Sequence, residues 1–197
     1  MLGGTFDPVH KGHIMVAEEA RTRLNLAEII LVPAGQPLLK ADNRPITTAE
    51  HRLQMLRLAI TDKPNYKLST IETERAGPSY TVDTIAELRE RLGKGSELFF
   101  ILGCDSLVLF PEWREPSRII GMCYLVAAPR PGYQRPNLKA LEADVPGILQ
   151  RVMLMDKPEI DISASVIRER VRRGLSVRHL VPEPVNRYIK EHSLYVT

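Results

Sequence analysis

Cysteine is almost absent from this chain of 197 residues: Cys104 and Cys123 are the only two, and no CxxC pair occurs. Zinc ribbons, iron–sulfur clusters and dithiol redox motifs need clustered thiols and are excluded. Two structural thiols in a reducing compartment are the plain expectation. No apolar run approaches eighteen residues, so no membrane-spanning helix is expected. The first residues carry neither a basic leader nor an apolar signal core, which points to a cytoplasmic protein. Aromatic residues are 6% of the chain, with a single Trp, Trp113. Charge of one sign is lacking too: 27 Lys and Arg against 24 Asp and Glu leave +3. That balance suits a small anionic ligand as well as nucleic acid, and does not choose between them.

What is present is an alternation of apolar strand-like runs with amphipathic helical runs. EIILVPA (28–34), YKLSTIE (66–72), ELFFILG (97–103), CYLVAAP (123–129) and RVMLMD (151–156) have strand character. Between them, Ala49, Leu53, Leu56 and Ile60 fall on one helical face, with Thr47 and Glu50 in capping-box spacing. Val82, Ile85, Leu88 and Leu92 repeat the pattern. Strands apolar on both faces and separated by helices predict an α/β protein with a Rossmann-like parallel sheet and helices on both faces. Residues 1–197 read as one domain, with 163–197 as a small helical C-terminal part and 129–150, rich in proline, as a surface excursion. In such sheets ligands sit beyond the carboxyl ends of the strands.

Two stretches at opposite ends of the chain carry unusual chemistry. In GGTFDPVHKGH (3–13), glycines before a helix start let backbone N–H groups approach an anion, and the helix end adds partial positive charge. His10 and His13, three residues apart, can both donate to phosphate oxygens. A metal pair or ordinary capping histidines are the alternatives, although no third ligand follows at metal spacing. In ISASVIR (162–168), Ser163 stands where an N-cap belongs, and Ser165 and Arg168 share a helical face. Together the two stretches describe a triphosphate held at both ends.

GGTFDPVHKGH is similar to the HxGH signature of the nucleotidyltransferase superfamily, and ISASVIR resembles its ISxxxxR partner. Three further stretches resemble the bacterial nicotinate-nucleotide adenylyltransferase family in the family's order. They are TDKPNYKLSTIETERAGPSYTVDTI (61–85), GCDSLVLFPEW (103–113) and LVPEPVNRYIKEHSLY (180–195). The resemblance covers essentially the whole chain. It implies transfer of an adenylyl group from ATP to nicotinate mononucleotide, giving the dinucleotide and pyrophosphate in NAD biosynthesis. It also implies ATP contacts at Gly3, Gly4, Thr5, Phe6, His10, His13, Gly103, Asp105, Ile162, Ser163 and Arg168, with His10, His13 and Arg168 acting at the reacting phosphates. Asp105 matches the position that binds the adenosine ribose, and Gly103 the one that allows close approach. On the nicotinate side the resemblance implies Lys40, Thr81, Trp113 and Arg114, with Trp113 stacking on the pyridine ring. Mg²⁺ is expected to ride on the ATP phosphates, with no metal site of the protein's own.

The chain departs from the family pattern twice. PLLK (37–40) keeps Lys40 but has Leu39 where the family commonly has His. Only Met1 and Leu2 precede the glycines, so the strand expected ahead of GGTFDP is absent or cut to a stub, and further residues before Met1 are expected. Rival readings keep the superfamily but use nicotinamide mononucleotide or phosphopantetheine, or turn the basic run RERVRRG (168–174) into a nucleic-acid-binding face. The last lacks aromatics interleaved with its basic residues. No interface signature fixes the oligomeric state.

Overall fold

The computed structural model describes residues 1–36, 46–93 and 95–196. In chain order the regular elements are β1 (Leu2–Gly4), α1 (Lys11–Arg23), β2 (Ile29–Pro33), α2 (Ala49–Ile60), β3 (Tyr66–Leu68), α3 (Ile71–Glu74) and α4 (Thr81–Leu92). They continue with β4 (Phe99–Gly103), α5 (Cys104–Val108), α6 (Pro116–Met122), β5 (Tyr124–Ala128), α7 (Leu138–Asp144), β6 (Val152–Leu154), α8 (Ala164–Arg172) and α9 (Glu183–Glu191). The strands form one parallel sheet in the order β3-β2-β1-β4-β5-β6. This is the doubly wound order. The direction of travel reverses between β1 and β4, and the crevice beyond their carboxyl ends is where ligands bind in such sheets.

Alternate residues of each strand serve opposite faces, which is why the strands are apolar throughout. In β2, Ile30 and Val32 join one core with Phe100 and Leu102 of β4, covered by Val82, Ile85 and Leu88 of α4 and by Ile119 and Ile120 of α6. Ile29 and Leu31 join the other core with Leu2, Ile101 and Val126, covered by Ala17 and Ala20 of α1 and by Met55 and Leu56 of α2. Ile167 of α8 and Val185 and Ile189 of α9 pack into that second core. The expected α/β architecture with helices on both faces is therefore the observed one.

Four local expectations need correction. The central strand is present as the stub: β1 is three residues long, and the glycines belong to it rather than to a loop after it. Leu2–Gly4 takes both glycines into the sheet, in register with Leu31–Pro33 on one side and Leu2 against Ile101 on the other. The 66–72 strand ends at Leu68, because the chain turns into α3 at Ile71, whose side chain is core. Thr48, not Thr47, caps α2, and no side chain closes a capping box there. The backbone of Thr47 instead accepts from Arg52 Nε at 2.9 Å. Finally, 129–150 is not merely a surface excursion. Asn137 Oδ1 caps α7 by accepting from Lys139 and Ala140 N–H, and Leu141, Val145 and Ile148 are buried in the first core.

Candidate active site

Gly3 and Gly4 bring the chain to the carboxyl end of the central strand, and residues 5–10 then turn sharply into α1. Phe6 takes a left-handed φ of 51°, uncommon for a non-glycine residue and a mark of strain. The turn is held from three directions. Arg52 Nη1 donates to the carbonyls of Thr5 at 3.0 Å and Ala34 at 2.8 Å. Arg168 Nη1 donates to the carbonyl of Asp7 at 2.6 Å. The Asp7 carboxylate accepts from the Tyr195 hydroxyl at 2.7 Å and from Thr47 N–H at 3.4 Å.

His10 occupies the N-cap position of α1, and its ring stacks on that of His13 with centroids 3.6 Å apart and planes 24° from parallel. His13 Nδ1 accepts the backbone N–H of His10 at 3.2 Å. That bond assigns the remaining ring proton of His13 to Nε2, leaving a donor for a ligand. Burial, with the charge of Arg130 adding to it, lowers the His10 pKa to about 4. Burial and the adjacent His10 push His13 well below the usual histidine range. Both imidazoles are thus neutral at pH 7. Between them Gly12 has a specific steric duty, since a Cβ there would lie 2.9 Å from His10 Nδ1 and 3.0 Å from Ile160. A side chain at Gly12 must push the His10 ring aside.

The ISASVIR stretch folds as its residue types suggest. Ser163 is the N-cap of α8, and its oxygen accepts from Val166 N–H at 3.2 Å, which leaves the hydroxyl proton to donate elsewhere. Arg168 spans 161 residues of sequence, reaching back to Asp7 while its Nη2 donates to Ser165 Oγ at 3.1 Å. The two phosphate-type stretches are therefore in contact. Both line one cavity of about 610 Å³ at the switch point between β1 and β4.

The same cavity is lined by Gly3, Thr5, Phe6, His10, His13, Gly103, Asp105, Trp113, Ile162, Ser163 and Arg168. The sequence had separated these residues by as much as 165 positions. Asp105 approaches so closely that a Cβ on Gly103 would lie 2.2 Å from its Oδ1; the space Gly103 leaves is used by this carboxylate. Arg130 forms an ion pair with the other oxygen, Oδ2. Trp113 packs against Phe100 and Phe110 at centroid distances of 5.9 and 5.5 Å, so one role of its ring is core. Among the described residues, its buried indole nitrogen and the buried His10 Nδ1 have no hydrogen-bond partner.

Three of the expected residues fall elsewhere. Gly4 lies within β1, its carbonyl accepting from Ala34 N–H at 2.8 Å and the Phe6 ring standing over its Cα. Thr81 is the first residue of α4 and does not line the cavity. The Arg114 guanidinium lies over the Tyr80 ring, 4.5 Å from its centroid, rather than in the cavity. Lys40, like Leu39, lies outside the described residues. Two participants had no signature in the sequence. Arg52, 2% exposed, looks like any charged residue of a surface helix, and Arg130 sits in a proline-rich turn. Among the described residues no cluster of three or more His, Cys, Asp or Glu is placed to hold a metal ion, and no helix is long and apolar enough to cross a membrane.

Residues 1–170 match the cytidylyltransferase-like family model. A protein of Dehalococcoides mccartyi named "Probable nicotinate-nucleotide adenylyltransferase" is 50% identical over 195 residues, spanning 99% of this chain and 95% of that one. A protein of Thermomicrobium roseum with the same name is 44% identical over 197 residues, spanning all of this chain and 91% of its own. In three dimensions the fold is similar to Plasmodium falciparum nicotinic acid mononucleotide adenylyltransferase complexed with NaAD. That match has a TM-score of 0.79 at 19% identity, over 99% of this chain and 95% of that one.

Proposed function

This chain belongs to the nicotinate-nucleotide adenylyltransferase family of cytidylyltransferase-like proteins, and on that premise we propose how its own residues transfer an adenylyl group from ATP to nicotinate mononucleotide. The observation that carries the proposal is the single cavity in which the α1 and α8 N-termini, the His10–His13 pair and Arg168 converge. A triphosphate laid across the two helix ends meets donors along its length: imidazole N–H, a serine hydroxyl and a guanidinium.

The 5′-phosphate oxygen of nicotinate mononucleotide attacks the α-phosphorus of ATP. A P–O bond forms on that side while the bond to the β-phosphate oxygen breaks, and pyrophosphate leaves with the electron pair. The attacking oxygen is ionised at neutral pH, so no base is needed, and the protein's task is alignment and charge stabilisation. His13 Nε2–H donates to an oxygen of the α-phosphate. It does so as a neutral imidazole whose direction is fixed by its Nδ1 bond to the backbone. Ser163 and Arg168 hold the β- and γ-phosphates. Asp105 takes the ribose hydroxyls, and Trp113 the pyridine ring.

Mg²⁺ fits as a passenger of the triphosphate. The cavity presents donors at its phosphate end, and the buried carboxylate there, Asp7, is already engaged by Tyr195 and Thr47. Bound there, the metal supplies neutralisation of phosphate charge. Residues 1–197 act as a single unit in this scheme, supported by Ile167, Val185 and Ile189 sharing the core under β1.

The test is pyrophosphate release from Mg²⁺–ATP with nicotinate mononucleotide or its amide as acceptor. The acid should be favoured in kcat/KM, because a carboxylate needs donors only whereas the amide also needs an acceptor for its N–H₂. A ratio near one would remove the nicotinate assignment and leave adenylyl transfer standing.

A further inference from the structure

The stretch LVPEPVNRYIKEHSLY is shared in pattern with the family, yet it contributes nothing to the cavity just described. It does reach the phosphate loop. Tyr195 donates its hydroxyl to Asp7 Oδ1 at 2.7 Å, across 188 residues of sequence. Tyr195 has a left-handed φ of 65°, a conformation a bulky residue keeps only where its surroundings over-determine it. The neighbouring Leu194 supplies that support, packing against the second core and donating its N–H to Ile189 O of α9 at 3.0 Å. Burial, and after it the Asp7 carboxylate, raises the phenol pKa, so the group stays a donor at any physiological pH.

Asp7 is the point at which displacement would be felt throughout the site. It is 1% exposed. Its carbonyl receives Arg168 Nη1 at 2.6 Å, and its second carboxylate oxygen receives Thr47 N–H at 3.4 Å. On one side of it, the Phe6 ring meets His13 edge-on at 4.9 Å. On the other, the chain reaches His10 through Pro8 and the fully buried Val9. We propose that Tyr195 is a positioning residue for adenylyl transfer: by holding the Asp7 carboxylate it sets where Arg168 and the His10–His13 pair stand against the triphosphate. The inference rests on the activity proposed above. Tyr195 does not line the cavity of the proposed reaction; its hydroxyl meets Asp7 and, beside it, Thr47.

Tyr195→Phe removes the hydroxyl and keeps the ring. With Mg²⁺–ATP and nicotinate mononucleotide, kcat should fall roughly 10- to 100-fold, the scale of a misplacement of about 1 Å at a reacting centre, while KM for nicotinate mononucleotide changes less than about twofold. Asp7→Asn should fall in the same way. The double variant should lose clearly less than the sum of the two single losses, because the Tyr195–Asp7 bond is common to both. Tyr188→Phe is the control: it removes a hydroxyl of α9 that contacts His51 at 2.9 Å and not the loop, and should leave kcat within about twofold. A Tyr195→Phe protein with a lower melting temperature but full kcat would overturn the inference, as would additive losses or an equal effect of Tyr188→Phe. A wild-type chain that releases no pyrophosphate would instead overturn the functional reading, and the inference with it.

Discussion

Lowering the pH of the ligand-free protein from 6.5 to 4.5 should cost about 2 kcal/mol of stability through His10 alone. The ring is 7% exposed and its pKa is about 4, against 6.5 for an unperturbed histidine. Between those values the unfolded chain binds a proton that the folded chain refuses, so stability rises with pH across this window and is lost as pH falls through it. Each pH unit inside the window is worth about 1.4 kcal/mol. His13, held low by burial and by His10, adds in the same direction. For a chain of this size the His10 share corresponds to roughly 4–8 °C in melting temperature. Thermal melts at pH 7.5, 6.5, 5.5 and 4.5, run beside His10→Gln, isolate it, because carboxylates elsewhere titrate equally in both proteins. The variant should show the shallower slope. Saturating ATP should also flatten the wild-type slope, since phosphate charge favours the protonated ring. Parallel curves for wild type and His10→Gln would refute the claim that the imidazole is buried neutral.

Two further substitutions separate ring placement from loop support. Gly12→Ala places a methyl group 2.9 Å from His10 Nδ1 and 3.0 Å from Ile160. It should lower kcat by roughly tenfold or more while costing about 1–3 kcal/mol in a chemical denaturation curve. Arg52→Met leaves the carbonyls of Thr5, Ala34 and Thr47 without their donor. It should cost about 3–5 kcal/mol, read as a melting temperature lower by roughly 6–20 °C. Arg52→Lys should not restore it, because one ammonium cannot reproduce the fork.

The parallel sheet was legible because strands buried on both faces write their apolar residues consecutively, as in Ile29–Val32, and helices write theirs at three and four. The two phosphate stretches were legible because helix-end chemistry is local: glycines or a serine, then the helix, then a basic group one turn on. What stayed hidden is non-local. Nothing in a helical run marks Arg52 as buried, since Thr5 and Ala34 lie in the loops that follow two neighbouring strands, β1 and β2. Nothing near Tyr195 names Asp7, and nothing in PRPG tells that Arg130 faces Asp105. The glycines of the stub strand misled for a physical reason: adjacent glycines favour turns, yet Gly3 and Gly4 stand in register with Val32 and Pro33 of β2, and only Leu2 pairs with β4. The short α7 was masked by the prolines around it, although Asn137 three residues before Ala140 is an N-cap signal.

The central claim is that His13, neutral and aimed by its bond to the His10 backbone, stabilises charge at the reacting phosphate. Steady-state pyrophosphate release from Mg²⁺–ATP and nicotinate mononucleotide by His13→Ala measures it. The account predicts a kcat lower by roughly 100-fold or more, the loss seen when one such donor is removed, with KM for nicotinate mononucleotide nearly unchanged. Near-full turnover by His13→Ala would contradict it.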